Sequence, residues 1–256
     1  MSTHGGKMKL TLEEPKFFVD SINVISELVN DVRFTLDQDK MTLVAMDPAN
    51  VAMIIFHLLS SAFTEYTIDK PTTLSINLDA LKSILRRSKP SDILTITLDQ
   101  EKNRLQIQLK SDATRTFNLA LIDVEEKEQK IPNLTFPVKI ETLSSKFDEA
   151  IQDMDIVGDS VSLVAQKGTF LIEAQSNLND AKTEILQDNE TKITAQTNDV
   201  VRSKYSIEYL KKIIRAGKLS HKVVLHFNND YPLQADYIVK DKLTFSVILA
   251  PRVSND

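Results

Sequence analysis

Two hydrophobic periods alternate along the chain. A repeat of three to four residues predicts a helix that begins near Pro15, because proline is tolerated in a first helical turn. The same period predicts a second helix, capped by Asp79 and ending near Ser88, since Pro90 cannot continue it. Alternating residues or short apolar runs predict strands between and after these helices. In the first half the predicted strands are residues 32–36, 40–45, 51–58, 74–77, 93–98, 104–109 and 114–121.

The chain matches itself after a shift of 129 positions, which carries residues 78–98 onto residues 207–227. Such a match predicts a duplicated domain, with two helices and eight or nine strands in each copy. Two unrelated halves are the alternative. Strand–helix–strand alternation does not run throughout, so we expect an α+β fold rather than a parallel α/β sheet. The expected boundaries are residues 8–124 and 137–256 for the two copies and residues 125–136 for an exposed connector.

The amino-acid composition excludes several classes of functional site. The 256 residues carry 31 Lys+Arg against 36 Asp+Glu, and this net charge of −5 disfavours nucleic-acid binding over the whole surface. The absence of cysteine excludes disulfides, thiolate zinc sites and a cysteine nucleophile. Five glycines build no phosphate-cradling loop, and four scattered histidines build no metal motif. We expect no catalytic residue, metal or cofactor; a hydrolase or nuclease with a divalent-metal carboxylate site is the competing class.

Positive charges recur at equivalent positions of the two predicted second helices. Lys82, Arg86 and Lys89 have the i, i+4, i+7 spacing that places side chains on one helix face. The shift of 129 carries them onto Lys211, Arg215 and Lys218. This repetition in an acidic chain favours one shared surface that meets the phosphates of a polyanion, although a solvated helix face is the alternative.

The amino terminus has no apolar segment of a signal peptide, and residues 1–7 are interpreted as a loose arm. The longest apolar run, residues 51–59, is interrupted by His57 and is too short to cross a bilayer. We therefore expect a cytoplasmic protein without a membrane partner.

Three short motifs, together with the repeat, resemble the proliferating cell nuclear antigen family of the archaeal type. They are residues 43–51 (LVAMDPANV), 121–126 (LIDVEE) and 249–253 (LAPRV). The resemblance implies a duplicated DNA-clamp fold, in which each domain has two helices backed by β-sheets. It implies a non-enzymatic sliding clamp whose three subunits close into a ring, with the helices lining the hole. A subunit of a heteromeric ring is the alternative to a homotrimer.

The resemblance also implies partners and site residues. The partners are double-stranded DNA, DNA polymerase, a clamp loader, flap endonuclease and DNA ligase, so the clamp is expected at the nucleoid. The DNA-facing residues are the six cations of the repeated stripe. The pocket for a partner peptide, Q-x-x-(aliphatic)-x-x-(aromatic)-(aromatic), consists of Met46, Val51, Met53, Ile131, Pro232, Leu249, Ala250 and Pro251. The subunit interface consists of Thr114, Arg115, Thr116 and Phe117 on one strand and Lys182, Thr183, Glu184 and Ile185 on the other.

Several residues depart from the family's pattern. Lys127 stands where relatives carry an apolar connector residue, and Asn50 stands where they carry a basic residue or histidine, so both affect partner preference. Carboxylates on the first helix of each half predict a hole that is less positive than is usual. They are Asp20, Glu149 and Asp153.

Overall fold

The computed structural model describes residues 7–125 and 129–253. Lys127 and residues 1–6 of the predicted arm therefore lie outside the described residues. In the described part, each half contributes nine strands and two α-helices in the same order, which confirms the predicted duplication of elements. The first half contains β1 (Met8–Leu12), α1 (Lys16–Ile25), β2 (Asp31–Leu36), β3 (Lys40–Met46), β4 (Ala52–Leu59), β5 (Glu65–Ile68), β6 (Thr72–Asn77), α2 (Leu78–Leu85), β7 (Ile93–Asp99), β8 (Arg104–Lys110) and β9 (Thr114–Ala120).

The second half repeats this order. It contains β10 (Val138–Leu143), α3 (Ser144–Asp155), β11 (Ser160–Gln166), β12 (Thr169–Gln175), β13 (Asp180–Leu186), β14 (Lys192–Ala195), β15 (Val201–Ser206), α4 (Ile207–Ile213), β16 (Lys222–Phe227), β17 (Leu233–Val239) and β18 (Leu243–Leu249). Short 3₁₀ helices cover Ser60–Ala62 in the first half and Ile214–Lys218 in the second.

The chain divides into two compact units that do not separate at one point of the sequence. Among the described residues, the first unit takes those up to Ala45, Ile55–Lys130 and Val239–Thr244. The second takes Met46–Ile54, Ile131–Ile238 and the residues from Phe245 onward. Each unit therefore includes a short segment from the other half of the sequence. The domain boundaries expected from the repeat remain a prediction.

The first unit contains the antiparallel sheet β5-β1-β7-β8-β9, with β9 at one edge. Strand β2 pairs with β3 and β6. Helix α1 packs against α2, because both helices bury their apolar face. The buried residues on these faces include Phe18, Ile22, Leu81 and Leu85.

The second unit has the same construction. Its antiparallel sheet β13-β12-β11-β15 ends at β13, and β10 pairs with β14 and β16. Helix α3 packs against α4 and the 3₁₀ helix that follows it. The buried residues on these helices include Phe147, Ile151, Leu210 and Ile213. Antiparallel sheets backed by helix pairs confirm the predicted α+β class.

The ends of α2 differ from the prediction. Asn77, not Asp79, caps the helix, because its side-chain oxygen accepts the Ala80 N–H at 2.9 Å. Helix α2 ends at Leu85, so Arg86 is its C-cap and Lys89 lies beyond it. The predicted helical stripe is therefore correct for Lys82 and Arg86 but wrong for Lys89, which sits in the turn before β7.

Candidate functional site

The helix pair of the first unit presents three of the predicted cations. Lys82 is half-buried, and its Nζ donates to the Oγ of Ser26, at the end of α1, at 3.0 Å. Arg86 and Lys89 are exposed. Arg87, which sequence reasoning did not assign, is exposed beside Arg86, and the adjacent pair of arginines was the signal for it. The end of α2 therefore concentrates positive charge at the surface.

A buried carboxylate fixes the turn that follows α2. Asp92 is fully buried and accepts the Lys89 N–H at 2.6 Å and the Arg115 Nη2 at 2.5 Å. Arg115 also donates from Nη1 to the Arg87 carbonyl at 2.8 Å. The hydrogen bond from Lys89, supported by Arg115, lowers the pKa of Asp92 below its ordinary range despite burial. The side chain of Arg115, predicted for a subunit interface, is thus engaged within its own unit.

The helix pair of the second unit presents the other three cations, all exposed. Lys211 lies on α4, whereas Arg215 and Lys218 lie on the 3₁₀ helix that continues it. Lys211 Nζ forms an ion pair with Asp155, the last residue of α3, at 2.7 Å. These cations line a cleft of about 860 Å³ between α3 and the helices packed on it, together with carboxylates and polar residues. The other polar lining residues include Asp148, Gln152, Asp155 and His221.

Neither helix pair offers a metal centre. In residues 7–125 and 129–253, no group of three or more His, Cys, Asp or Glu side chains is arranged to hold a metal ion. The same ranges include no helix that is long and apolar enough to cross a membrane. What the helical surfaces offer is a set of flexible ammonium and guanidinium groups, which suit sequence-independent contacts to phosphates.

Three residues of the predicted partner pocket, Met46, Val51 and Met53, lie in or beside a tight turn of the second unit. The turn is closed by Asp47, whose Oδ1 accepts the N–H groups of Val51 at 2.7 Å and Ala52 at 2.8 Å. Its Oδ2 accepts the hydroxyl of Tyr209, on α4, at 2.5 Å. Burial alone would raise the pKa of Asp47, but these amide and hydroxyl donors outweigh it and the pKa is lowered. Asn50 takes the left-handed conformation that the turn requires, with φ of 57°.

The predicted pocket residues differ in what they offer to solvent. The Ala250 N–H donates to the Val51 carbonyl at 2.9 Å, which brings the carboxyl-terminal motif against the turn. Ile131 is 51% exposed, whereas Met53 and Leu249 are buried. The remaining half-buried members are Met46, Val51, Pro232 and Pro251. Asp47 and Tyr209 were not assigned from sequence, and only the position of Asp47 inside its motif could have indicated its role.

Strands β9 and β13 have edges without a partner strand in the described part of each sheet. Both alternate exposed with half-buried residues and bury their sixth residue, Leu119 in β9 and Ile185 in β13. Thr114, Thr116, Lys182 and Glu184 are exposed, and Arg115, Phe117 and Thr183 are half-buried. Unpaired edges of this length can accept a strand from another chain.

Two family models match the chain and show which family it belongs to. Residues 8–129 match the family model of the proliferating cell nuclear antigen N-terminal domain, and residues 130–252 match that of the C-terminal domain. The chain belongs to the proliferating cell nuclear antigen family. The resemblance of the three motifs to this family is thereby confirmed.

Relatives in this family have similar lengths and names. The chain is 34% identical to a DNA polymerase sliding clamp of Thermococcus gammatolerans and 31% identical to that of Pyrococcus furiosus. Each match covers 96% of this chain and 98% of the relative. A crystal structure of PCNA from Thermococcus kodakaraensis has the same fold, with a TM-score of 0.89 at 23% identity, covering 96% of this chain and all of that one.

Membership in the proliferating cell nuclear antigen family identifies the chain as a DNA sliding clamp, a processivity factor for DNA replication. Such clamps are non-catalytic, so the competing hypothesis of a metal-dependent hydrolase or nuclease is wrong. The assignments of individual residues to DNA, partner peptides and neighbouring subunits stay predictions.

Proposed function

We propose that this clamp is a homotrimeric ring that encircles double-stranded DNA, with the helix pairs of both units turned toward the duplex. The observation that carries the proposal is the repetition of cations on the second helix of each pair and the turn after it. The proposed DNA-facing residues are Lys82, Arg86, Lys89, Lys211, Arg215 and Lys218. Because a closed ring holds DNA by topology, weak phosphate contacts suffice and the ring remains free to slide.

Charge reversal at the helix pairs tests this orientation. We expect Lys82→Glu, Arg86→Glu, Lys211→Glu and Arg215→Glu together to leave assembly intact but to impair clamp loading and polymerase processivity. The matched control reverses four exposed lysines elsewhere and makes the same change in net charge; these are Lys70, Lys102, Lys167 and Lys240. Processivity that is equal in the two variants would contradict the proposal that the helices face DNA.

Edge-to-edge pairing of β9 from one subunit with β13 of the next supports ring closure. Both strands offer an edge with alternating exposed residues, and pairing removes the aggregation liability of each. Light scattering on a sizing column over a dilution series should give three times the chain mass of 28.9 kDa. A monomer at every concentration would instead indicate a subunit of a heteromeric ring.

The turn closed by Asp47 supports a second proposed surface, for peptides of DNA polymerase, flap endonuclease, DNA ligase and the clamp loader. Exposed Ile131 and the carboxyl-terminal motif, which Ala250 ties to the turn, offer apolar area for an aromatic anchor. We expect Ile131→Ala with Pro251→Ala to weaken binding of such a peptide without changing the ring mass. Exposed Ile156→Ala, on the same unit, is the control, and an equal loss in the control would contradict this location of the pocket. A DNA-bound clamp of this kind acts in the cytoplasm, at the nucleoid.

A further inference from the structure

The two helix pairs share one contact at positions related by the sequence repeat. In the first unit, Lys82 on α2 reaches Ser26 at the end of α1, at 3.0 Å. The shift of 129 carries Lys82 onto Lys211 and Ser26 onto Asp155. In the second unit, Lys211 on α4 reaches Asp155 at the end of α3, at 2.7 Å. The geometry of the contact is therefore duplicated, whereas the chemistry of the acceptor is not.

The two acceptors have opposite consequences for the charge of the lysine. Ser26 is neutral, so its hydroxyl orients the Lys82 ammonium without adding a compensating negative charge. Asp155 carries a full negative charge that cancels the field of Lys211 at short range. Both partners of this second pair are open to solvent, with side chains 49% and 40% exposed, so an external anion can compete for the lysine.

The helix that carries Asp155 reinforces this difference. Helix α3 carries four carboxylates and one lysine, and that lysine is held by ion pairs to Asp188 and Glu190 at 3.1 Å each. Helix α1 carries one lysine and one carboxylate, which pair with each other. The charged residues of α3 are Lys146, Asp148, Glu149, Asp153 and Asp155. The cleft that holds Lys211, Arg215 and Lys218 is therefore lined by anions from α3.

We propose that Asp155 is an intramolecular competitor for the DNA phosphate that Lys211 would otherwise bind, so that the helices of the first unit make the stronger contacts to duplex DNA. The proposal rests on the proposed function, since it requires the helix pairs to face DNA. In the proposed trimeric ring, the six pseudo-equivalent helix pairs would alternate between stronger and weaker contacts to DNA. Moving Lys211 onto a phosphate requires an ion pair to break, whereas moving Lys82 requires only the loss of a hydrogen bond to a neutral hydroxyl.

Salt dependence distinguishes this competition from a general change in charge. Each cation that gains a phosphate contact releases counterions and steepens the slope of log K against log salt by about 0.9. Removing a carboxylate that pairs with a lysine should change this slope, because it adds a contact. Removing a carboxylate without such a pair should change only the overall electrostatic potential of the protein and leave the slope as it is.

The test compares Asp155→Asn with Asp153→Asn. Both variants remove one negative charge from the same helix. Asp153 is the control because it is exposed and the described residues include no ion pair that involves it. The probe is a fluorescein-labelled linear duplex, titrated by anisotropy from about 50 to 200 mM salt. For Asp155→Asn we expect binding to tighten roughly twofold to fivefold, with a slope steeper by about 0.9 for each lysine that gains a phosphate. Asp153→Asn should leave the slope unchanged.

The reciprocal variant adds the competitor to the first unit. Ser26→Asp should weaken duplex binding and make the slope shallower, because Lys82 then acquires the partner that Lys211 has. Aspartate occupies the repeat-equivalent position at the end of α3, and a urea melt checks that the variant retains its fold.

The outcomes distinguish the competition at Lys211 from the orientation of the helices toward DNA. Equal affinities and slopes for Asp155→Asn and Asp153→Asn would overturn the competition while leaving the DNA-facing helices in place. If Lys82→Glu and Lys211→Glu both leave duplex binding unchanged, the helices do not face DNA and both proposals fail. A larger loss for Lys82→Glu than for Lys211→Glu, together with a steeper slope for Asp155→Asn, supports both.

Discussion

Strands β9 and β13 have the same length and the same alternation of exposed and half-buried residues, but different interactions hold them. Strand β9 is tied to the segment between α2 and β7, because Arg115 reaches the Arg87 carbonyl and the buried carboxylate of Asp92. Strand β13 carries Lys182, which faces Glu173 on β12 at 3.9 Å in a pair that is open to solvent. Alternation therefore determines which side chains of an edge strand turn inward. Arg115 lies on the half-buried side of β9 and Lys182 on the exposed side of β13, and the partner of each side chain determines how firmly its strand is held.

The largest expected effect breaks the anchor of β9. Asp92→Ala leaves the Arg115 guanidinium and the Lys89 N–H without their buried acceptor, and we expect a loss of about 2–3 kcal/mol in the free energy of unfolding. Urea denaturation measures the loss, and hydrogen exchange at β8 and β9 should show that it is local. Unchanged protection of β9 would contradict the role of Asp92 as its anchor.

Acid should weaken the same anchor selectively. The folded-state pKa of Asp92 is lowered, first by the Lys89 N–H, from an ordinary value of 3.8. Its stabilisation is therefore fully present above that value and is lost as the pH falls through the lower, folded-state pKa. We expect unfolding free energy measured from pH 5 downward to fall less steeply in Asp92→Asn than in the unmodified protein. Parallel pH profiles would contradict this assignment.

A smaller effect is expected at the exposed ion pairs of Glu173, one of which involves Lys182 on β13. Glu173→Ala removes the partner of both Lys182 and Arg202, whose side chains are more than half exposed. Pairs of this kind contribute about 0–1 kcal/mol, so the urea midpoint should move much less than for Asp92→Ala. Equal losses in the two variants would remove the contrast between the edges.

The smallest effect on folding is expected at the end of β13. Leu186 is 59% exposed, so Leu186→Lys should change the free energy of unfolding of the isolated chain by less than about 0.5 kcal/mol. If β13 meets a neighbouring subunit, the same change should still shift the ring toward smaller species in a dilution series. An unchanged mass at every dilution would place the interface away from this residue.

The sequence predicted the backbone better than it predicted the contacts. Alternation located β9, and the repeat located the helix pairs, because both signals depend on periods that burial imposes on local structure. The end of α2 was placed near Ser88 because Pro90 cannot continue a helix, but a proline sets only how far the helix can extend, and α2 ends earlier, at Leu85. After the helix, the Asp92 carboxylate accepts the Lys89 N–H at 2.6 Å and fixes the turn, a local contact that the hydrophobic period does not report.

Contacts between distant residues left no signal in a single sequence. Asp47 and Tyr209 are separated by 162 positions, and Lys82 and Ser26 by 56. Neither pair follows from periodicity or composition, because the local sequence around Asp, Ser and Tyr residues does not indicate which of them form a long-range hydrogen bond. The motif predicted to form the pocket can be recognised in the sequence, but the burial of Met53 and Leu249 follows from the packing of β4 and β18.

The turn closed by Asp47 has a consequence for recognition. Its carboxylate binds the Val51 and Ala52 amides and is itself fixed by the Tyr209 hydroxyl, so the backbone beside the proposed peptide pocket is ordered before any partner arrives. Binding therefore requires no loss of conformational entropy from this turn, and the ordering cost falls on the arriving peptide. The entropic cost on the clamp side should then be the same for every partner peptide. Differences in affinity among peptides should depend on how ordered each peptide already is in solution.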